Sequence, residues 1–252
     1  MTAMAVLLQR ADDPSTDVLV PEFGAWGLSD GNRFGSASAW GNGAPSGYLG
    51  LLGFTTDGRT AGVDANLFTY TSLGTQTRLS VQLRYRPTIS PDVYAIDVHV
   101  QRRTAATGTG GTLFEMSTGF DVPPDRGGNQ TITWGASSGQ APAHVTYFGC
   151  NLDDGDPRTG PTTSVGLGTA CAPGGLGTTV RLNLGALAID ERASFTLYVG
   201  VTRTSAAAHA ALEDIDPALY ALAEPTNPGG AVGIFAFSDL THTTSTSAGN
   251  PT

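Results

Sequence analysis

Residues Arg78–Arg103, RLSVQLRYRPTISPDVYAIDVHVQRR, carry the clearest periodicity in the chain. Leu79, Val81, Leu83 and Tyr85 alternate with Arg78, Ser80, Gln82, Arg84 and Arg86. A period of two sends successive side chains to opposite faces of a strand, so the first set marks a buried face and the second a polar one. Pro87-Thr88-Ile89-Ser90-Pro91 then interrupts. Each proline fixes its own φ and turns the preceding residue away from the helical region, which makes this segment a turn. Alternation resumes with Tyr94, Ile96, Val98 and Val100 inward and Ala95, Asp97, His99 and Gln101 outward. Two amphipathic strands this close in sequence pair antiparallel, and a lone hairpin needs a second layer over its apolar face. Arg84, Arg86 and Asp97 on the polar faces predict a cross-strand charge pair worth about 0.2–1 kcal/mol. That polar face reads first as a solvated surface and second as a ligand-binding one.

The same reading extends along the chain. Tyr48–Thr56 and Ala61–Thr71 are strands joined by the Asp57-Gly58 turn signal. Leu113–Ser117, Gln130–Trp134, His144–Phe148, Thr179–Leu184, Ser194–Arg203 and Val232–Phe237 read as further strands. One short helix is expected near residues 205–215, with Ser205 as N-cap and Ala208, Ala211, Leu212 and Ile215 at helical spacing. Pro217 ends or restarts it, and Ala218–Ala223 would add a turn. Phe23–Tyr48, rich in Gly, Ser and Ala with spaced aromatics, reads as tight turns anchored by Trp26, Phe34 and Trp40. The expected fold is all-β: an antiparallel β-sandwich of jelly-roll type with that one helix. Residues 1–22 would be an arm with an acidic patch (Asp12, Asp13, Asp17) and two edge strands, Val6–Leu8 and Val18–Val20. Residues 23–240 would be the sandwich, and residues 241–252 a flexible Thr/Ser-rich tail.

Composition narrows the function classes. Charged residues are 14% of 252 and apolar residues 40%, enough for a core and too few charges for a disordered chain. The net charge of −9 argues against binding nucleic acid or anionic membrane, both of which call for a basic surface. All thirteen basic residues are Arg, so lysine Schiff-base chemistry and a P-loop lysine are excluded. No apolar stretch is long enough to span a bilayer. The run Ala3–Leu8 lacks the basic segment and the length of a secretion signal.

Cys150 and Cys171 flank a Gly/Pro-rich excursion of loop composition. A disulfide there would staple the loop by about 3 kcal/mol of closure entropy, and the absence of neighbouring histidines argues against zinc. Inside it, Asn151, Asp153, Asp154 and Asp156 place oxygen donors at near-alternate positions, a pattern suited to calcium but without the closing glutamate of an EF-hand. Calcium is the one cofactor the sequence suggests; an ordinary acidic turn is the simpler account. The histidines His99, His144, His209 and His242 stand in no nucleophile-elbow context, and no paired-carboxylate pattern suggests a glycosidase. Trp26, Trp40, Trp134, Tyr48, Tyr70 and Tyr147 are candidates for a glycan-stacking platform, although aromatics in sandwiches are more often core.

The element order is similar in a general way to β-rich surface and particle proteins, through composition and strand spacing alone. The expected role is a non-enzymatic structural or adhesive subunit of a surface assembly, a bacterial extracellular structure or a phage virion, self-associating through its termini. Its partners would be further copies of itself or other subunits, at an extracellular, cell-surface or virion-surface location. The alternative is a monomeric glycan-binding module, and a hydrolase is the third reading.

Overall fold

A computed structural model describes residues 19–38, 45–105, 110–120, 130–152, 155–171, 177–226 and 229–244. In chain order its strands are β1 (Leu19–Ser29), β2 (Phe34–Ser38), β3 (Pro45–Gly47), β4 (Leu49–Thr56), β5 (Ala61–Thr71), β6 (Gly74–Pro87), β7 (Val93–Arg102), β8 (Leu113–Phe120), β9 (Gln130–Gly135), β10 (Val145–Gly149), β11 (Gly177–Asn183) and β12 (Glu191–Thr202). The helix α1 (Ser205–Ile215) follows, then β13 (Leu219–Pro225), β14 (Val232–Phe237) and β15 (Thr241–Thr244). They form two packed antiparallel sheets, a β-sandwich. The small sheet has the order β10-β11-β8-β1-β2-β3, and the large one β4-β5-β6-β7-β12-β14-β13-β9 with β15 on β12.

The hairpin that opens the reading is β6–β7, in the register Leu83↔Val98 and Val81↔Val100. Leu79, Val81, Leu83, Ile96, Val98 and Val100 are all buried, as their alternation predicts. They face Leu28, Phe114, Val180 and Leu182 of the small sheet. A run of rings crosses the interlayer: Trp26 stacks on Phe114, Phe114 meets Phe195 edge-on at 5.1 Å, and Phe195 meets Phe237 at 5.8 Å. On the outer face of the large sheet, Ala208, Ala211 and Leu212 of α1 pack with Leu222, Ile234 and Ala236 in a second apolar cluster. The helix thus covers the β12–β14–β13 end of that face, and the β4–β7 end has no helix over it.

Several elements depart from the expectations. The turn-rich segment after Phe23 is mostly strand. β1 runs from Leu19 to Ser29 and lies between β8 and β2, so Leu19 and Val20 of the expected edge strand belong to a central strand, Val18 lying outside the described residues. Its small residues serve close approach, since a Cβ on Gly27 would lie 2.0 Å from the Gly155 carbonyl oxygen. The N-cap of α1 is Thr204, whose side chain accepts from the Ala207 amide; Ser205 instead donates to Glu224. The helix ends at Asp216 in the left-handed region, and Ala218–Ala223 is not helical. It lies in β13, whose Leu219, Ala221 and Ala223 alternate into the core between β14 and β9. The Thr-rich tail begins as β15, paired with β12 from Glu191↔Thr244 to Ser194↔Thr241. Residues 1–18, including the acidic patch, and residues 245–252 lie outside the described residues.

Arg78, expected on the solvated face, is buried. It donates to the carboxylate of fully buried Asp30, which Arg102 also approaches at 3.4 Å. Burial alone would raise the Asp30 carboxyl; the Arg78 hydrogen bond and the amides of Arg33 and Asn32 outweigh it and hold the group below its ordinary value. The cluster seals one end of the sandwich, where β1 meets the β6–β7 hairpin.

Candidate functional site

The excursion between Cys150 and Cys171 is the longest departure from strand geometry, and it has a defined course. It leaves β10, runs over the outer face of the small sheet and returns to the sandwich side. Thr179 donates to the Asn151 carbonyl, the Arg158 guanidinium lies 3.7 Å from the Phe34 ring centroid, and Arg181 donates to the carbonyls of Thr159 and Pro161. On the way back Val165 N–H donates to Phe148 of β10, Gly168 N–H to Trp134 of β9 and Cys171 N–H to Ile132 of β9. The returning limb therefore bridges an edge of one sheet to an edge of the other. Cys150 and Cys171 lie at disulfide distance, with Cα atoms 6.4 Å apart, as expected for a staple at that seam. On the opposite side the chain closes the sandwich itself at Tyr48, whose amide donates to Phe34 of β2 and whose carbonyl accepts from Phe68 of β5.

Under the loop, side chains that alternate away from the core are buried nonetheless. Glu115 and Arg181, paired across β8 and β11, form an ion pair with side-chain exposures of 0% and 8%. Ser117 and Thr179 share a hydrogen bond of 2.6 Å. Arg181 also lies over the Tyr147 ring, and the Tyr147 hydroxyl donates to the Asn151 carboxamide. Of the four residues suggested for calcium, Asn151 is thus engaged by Tyr147. Asp156 is buried, and its carboxylate accepts from the amide, Nε and Nη2 of Arg158 at 2.9–3.0 Å. Asp153 and Asp154 lie outside the described residues. Among the described residues no three His, Cys, Asp or Glu side chains cluster as metal ligands.

The remaining candidates are dispersed. Trp26 and Trp134 are core residues, Trp134 donating from its indole to the Gly149 carbonyl, and Tyr147 is buried under the loop beside Arg181. Tyr48 and Tyr70 pair at the surface with ring centroids 6.0 Å apart; Trp40 lies outside the described residues. His144 packs on Phe237 beside Asp239, His242 meets Glu191 at 3.0 Å, and His209 is on the exposed side of α1.

His99 differs. Its Nδ1 lies 2.9 Å from the Ser194 hydroxyl, and burial together with the charge of Arg192 holds the imidazole below its ordinary range, hence neutral at pH 7. It sits in an open concavity of about 770 Å³ on the outer face of the large sheet. Cross-strand register builds that floor in rows: Asp64, Gln82, His99 and Ser194 in one, Asn66, Ser80, Gln101 and Arg192 in the next. Asp64 is occupied by Arg84 at 2.6 Å and Gln82 at 3.1 Å. The expected charge pair is also present one row away, with Arg86 gripping Asp97 through Nε and Nη2. Sequence reading had named only the β6 and β7 members of this lattice. The contributions of β5 and β12 needed the register, which alternation within one strand does not supply.

A third surface is β4. Among the described residues it is one of the two end strands of the large sheet, and Leu52–Thr56 are all exposed, with Leu52 at 60% and Phe54 at 46%. No helix among the described residues is long and apolar enough to cross a membrane. Comparison with known proteins finds no matching family model, no matching curated protein and no matching solved structure.

Proposed function

We propose that this chain is a structural or adhesive subunit of a surface assembly, a bacterial extracellular structure or a phage virion, and that copies associate through β4. The observation that carries this reading is the composition of that edge. A strand with an open side offers unpaired amides and carbonyls to another chain, and monomeric proteins guard such strands with charges, prolines or covering segments. The sequence of β4, LGLLGFTT, has no charge and no proline, and it turns Leu52 and Phe54 to solvent. A ladder irregularity between Leu51 and Gly53 bends it without covering it. Addition of a strand from a second copy would pair the backbone and shelter both side chains. The stapled loop suits an oxidising compartment outside the cell.

Light scattering on the purified protein tests this. The wild type is expected at a multiple of 25.8 kDa and Phe54→Lys at the mass of one chain. A wild type that stays a single chain at high concentration overturns the reading. A chain lacking residues 1–18 that still assembles places the contact on β4 instead of the N-terminal arm.

A further inference from the structure

We infer that the concavity on the outer face of the large sheet is a binding site for an acidic oligosaccharide, a chain of sugar units bearing carboxylates. The inference rests on the floor of that concavity and not on the β4 edge.

A sheet face offers a ligand side chains only, because its backbone groups are spent within the ladder. A peptide strand gains its main-chain hydrogen bonds at an edge, so the face does not suit one. What this face offers is a lattice of planar amides: Asn66, Gln82 and Gln101, on three adjacent strands. Each amide spends one donor within the protein, Gln82 on Asp64, Gln101 on the Asp190 carbonyl and Asn66 on the Thr77 hydroxyl; its second N–H and its oxygen remain to pair with a hydroxyl acting both ways. Adjacent strands lie about 4.8 Å apart, a spacing close to the length of one pyranose unit, so a sugar chain laid across β5, β6, β7 and β12 runs along a polar row and meets one strand's side chain per unit. Among the described residues no Phe, Tyr or Trp lines the concavity, so recognition falls to hydrogen bonds and charge instead of stacking.

Charge then selects the sugar. The protein carries −9 overall, yet this floor presents Arg103 and Arg192, while its one carboxylate, Asp64, is neutralised by Arg84. Arg103 donates to Ser80 and pairs with Asp190 at 4.0 Å, a solvent-exposed contact at the limit of an ion pair. Arg192 makes no ion pair among the described residues and stands one row from neutral His99, with Asp64 in that same row three strands away on β5 and held by Arg84. A guanidinium fork matches a carboxylate bidentately. A basic spot in an acidic protein does not collect polyanions by long-range attraction, so any uronate bound here is held by these side chains.

Titration calorimetry of the full chain with a galacturonate hexamer, and with maltohexaose as neutral control, tests the assignment. The hexamer is expected to bind in the submillimolar range and maltohexaose at least about tenfold more weakly, the scale of a charge-assisted hydrogen bond. Arg192→Gln should weaken the hexamer about tenfold, and Arg192→Lys should recover part of that loss. A second readout needs no variant: a bound carboxylate favours the imidazolium, so the nuclear magnetic resonance titration of His99 should move to higher pH with the hexamer and stay put with maltohexaose. Absence of binding, equal affinity for the neutral sugar, or affinity unchanged in Arg192→Gln would each overturn the site. Loss of self-association in Arg192→Gln, with hexamer binding intact, would make the concavity a subunit contact instead. A monomeric wild type leaves this inference standing, and a silent calorimeter leaves the β4 reading standing.

Discussion

On the small sheet, Glu115, Ser117, Thr179 and Arg181 alternate away from the core and are buried. On the large sheet, Asn66, Gln82, His99 and Gln101 alternate away from the core in the same way and stay in contact with solvent. Residue types hardly distinguish the two sets. What separates them is the segment between Cys150 and Cys171, whose carbonyls at Asn151, Thr159 and Pro161 take the donors of Thr179 and Arg181. Alternation tells which side chains leave the core. Whether a distant stretch of chain then covers them is a separate fact. A covered polar face has to satisfy its own hydrogen bonds and becomes structural; an open one keeps its donors for something else.

The strongest way to break this contrast is to remove one charge under the loop. Arg181→Met leaves Glu115 buried without its guanidinium and should cost about 3–5 kcal/mol in urea unfolding, and Glu115→Met on the same chain should recover part of it. A single-variant loss no larger than that of a surface substitution would mean the loop does not seal the face. Next comes the staple. Cys150→Ser with Cys171→Ser should cost about 3 kcal/mol for a loop of this length and loosen the loop's amides in hydrogen exchange; unchanged protection there would show that backbone bonds alone hold the return limb. The smallest effect belongs to the open face. Asp97→Asn removes the charge and one of the two acceptor oxygens that Arg86 grips, where the Arg86 side chain is 49% exposed, and should cost no more than about 1 kcal/mol. A loss as large as that of Arg181→Met would erase the distinction between the two faces.

The sandwich was legible where strands are built from branched and aromatic residues. The bounds of β5, Ala61–Thr71, coincide with those read from the sequence, and of the inward set of β6 and β7 the six aliphatic residues are buried and Tyr85 and Tyr94 half-buried, while Ala95, expected outward, is buried as well. It was not legible where close packing demands small residues. FGAWGLS in β1 and FGSAS in β2 have no apolar alternation, because Gly27 must admit the Gly155 carbonyl and Gly35 the backbone of Leu49. LYALAEP in β13 carries good helix formers, and its pairing with β14 and β9 overrides that preference. The loop was marked by its cysteines, but its sealing role depends on Glu115 and Arg181, which lie 66 residues apart. Arg78 was misplaced for a similar reason: its partner, Asp30, sits 48 residues away at the end of a strand with no strand-like pattern.

The strand order also sets a timetable. β4, β5, β6 and β7 are neighbours in sequence as well as in space, so that quarter of the molecule can pair as soon as it leaves the ribosome. The small sheet cannot. β1 ends at Ser29, its long partner β8 begins at Leu113, and the strand that completes β8 on the other side ends at Asn183. Until β8 has been made, nearly halfway along these 252 residues, β1 has only the five-residue β2 beside it, and its Asp30 must wait for Arg78 and Arg102 before it can be buried as an ion. β1, which precedes every other described strand, is therefore enclosed well after the β4–β7 strands have paired.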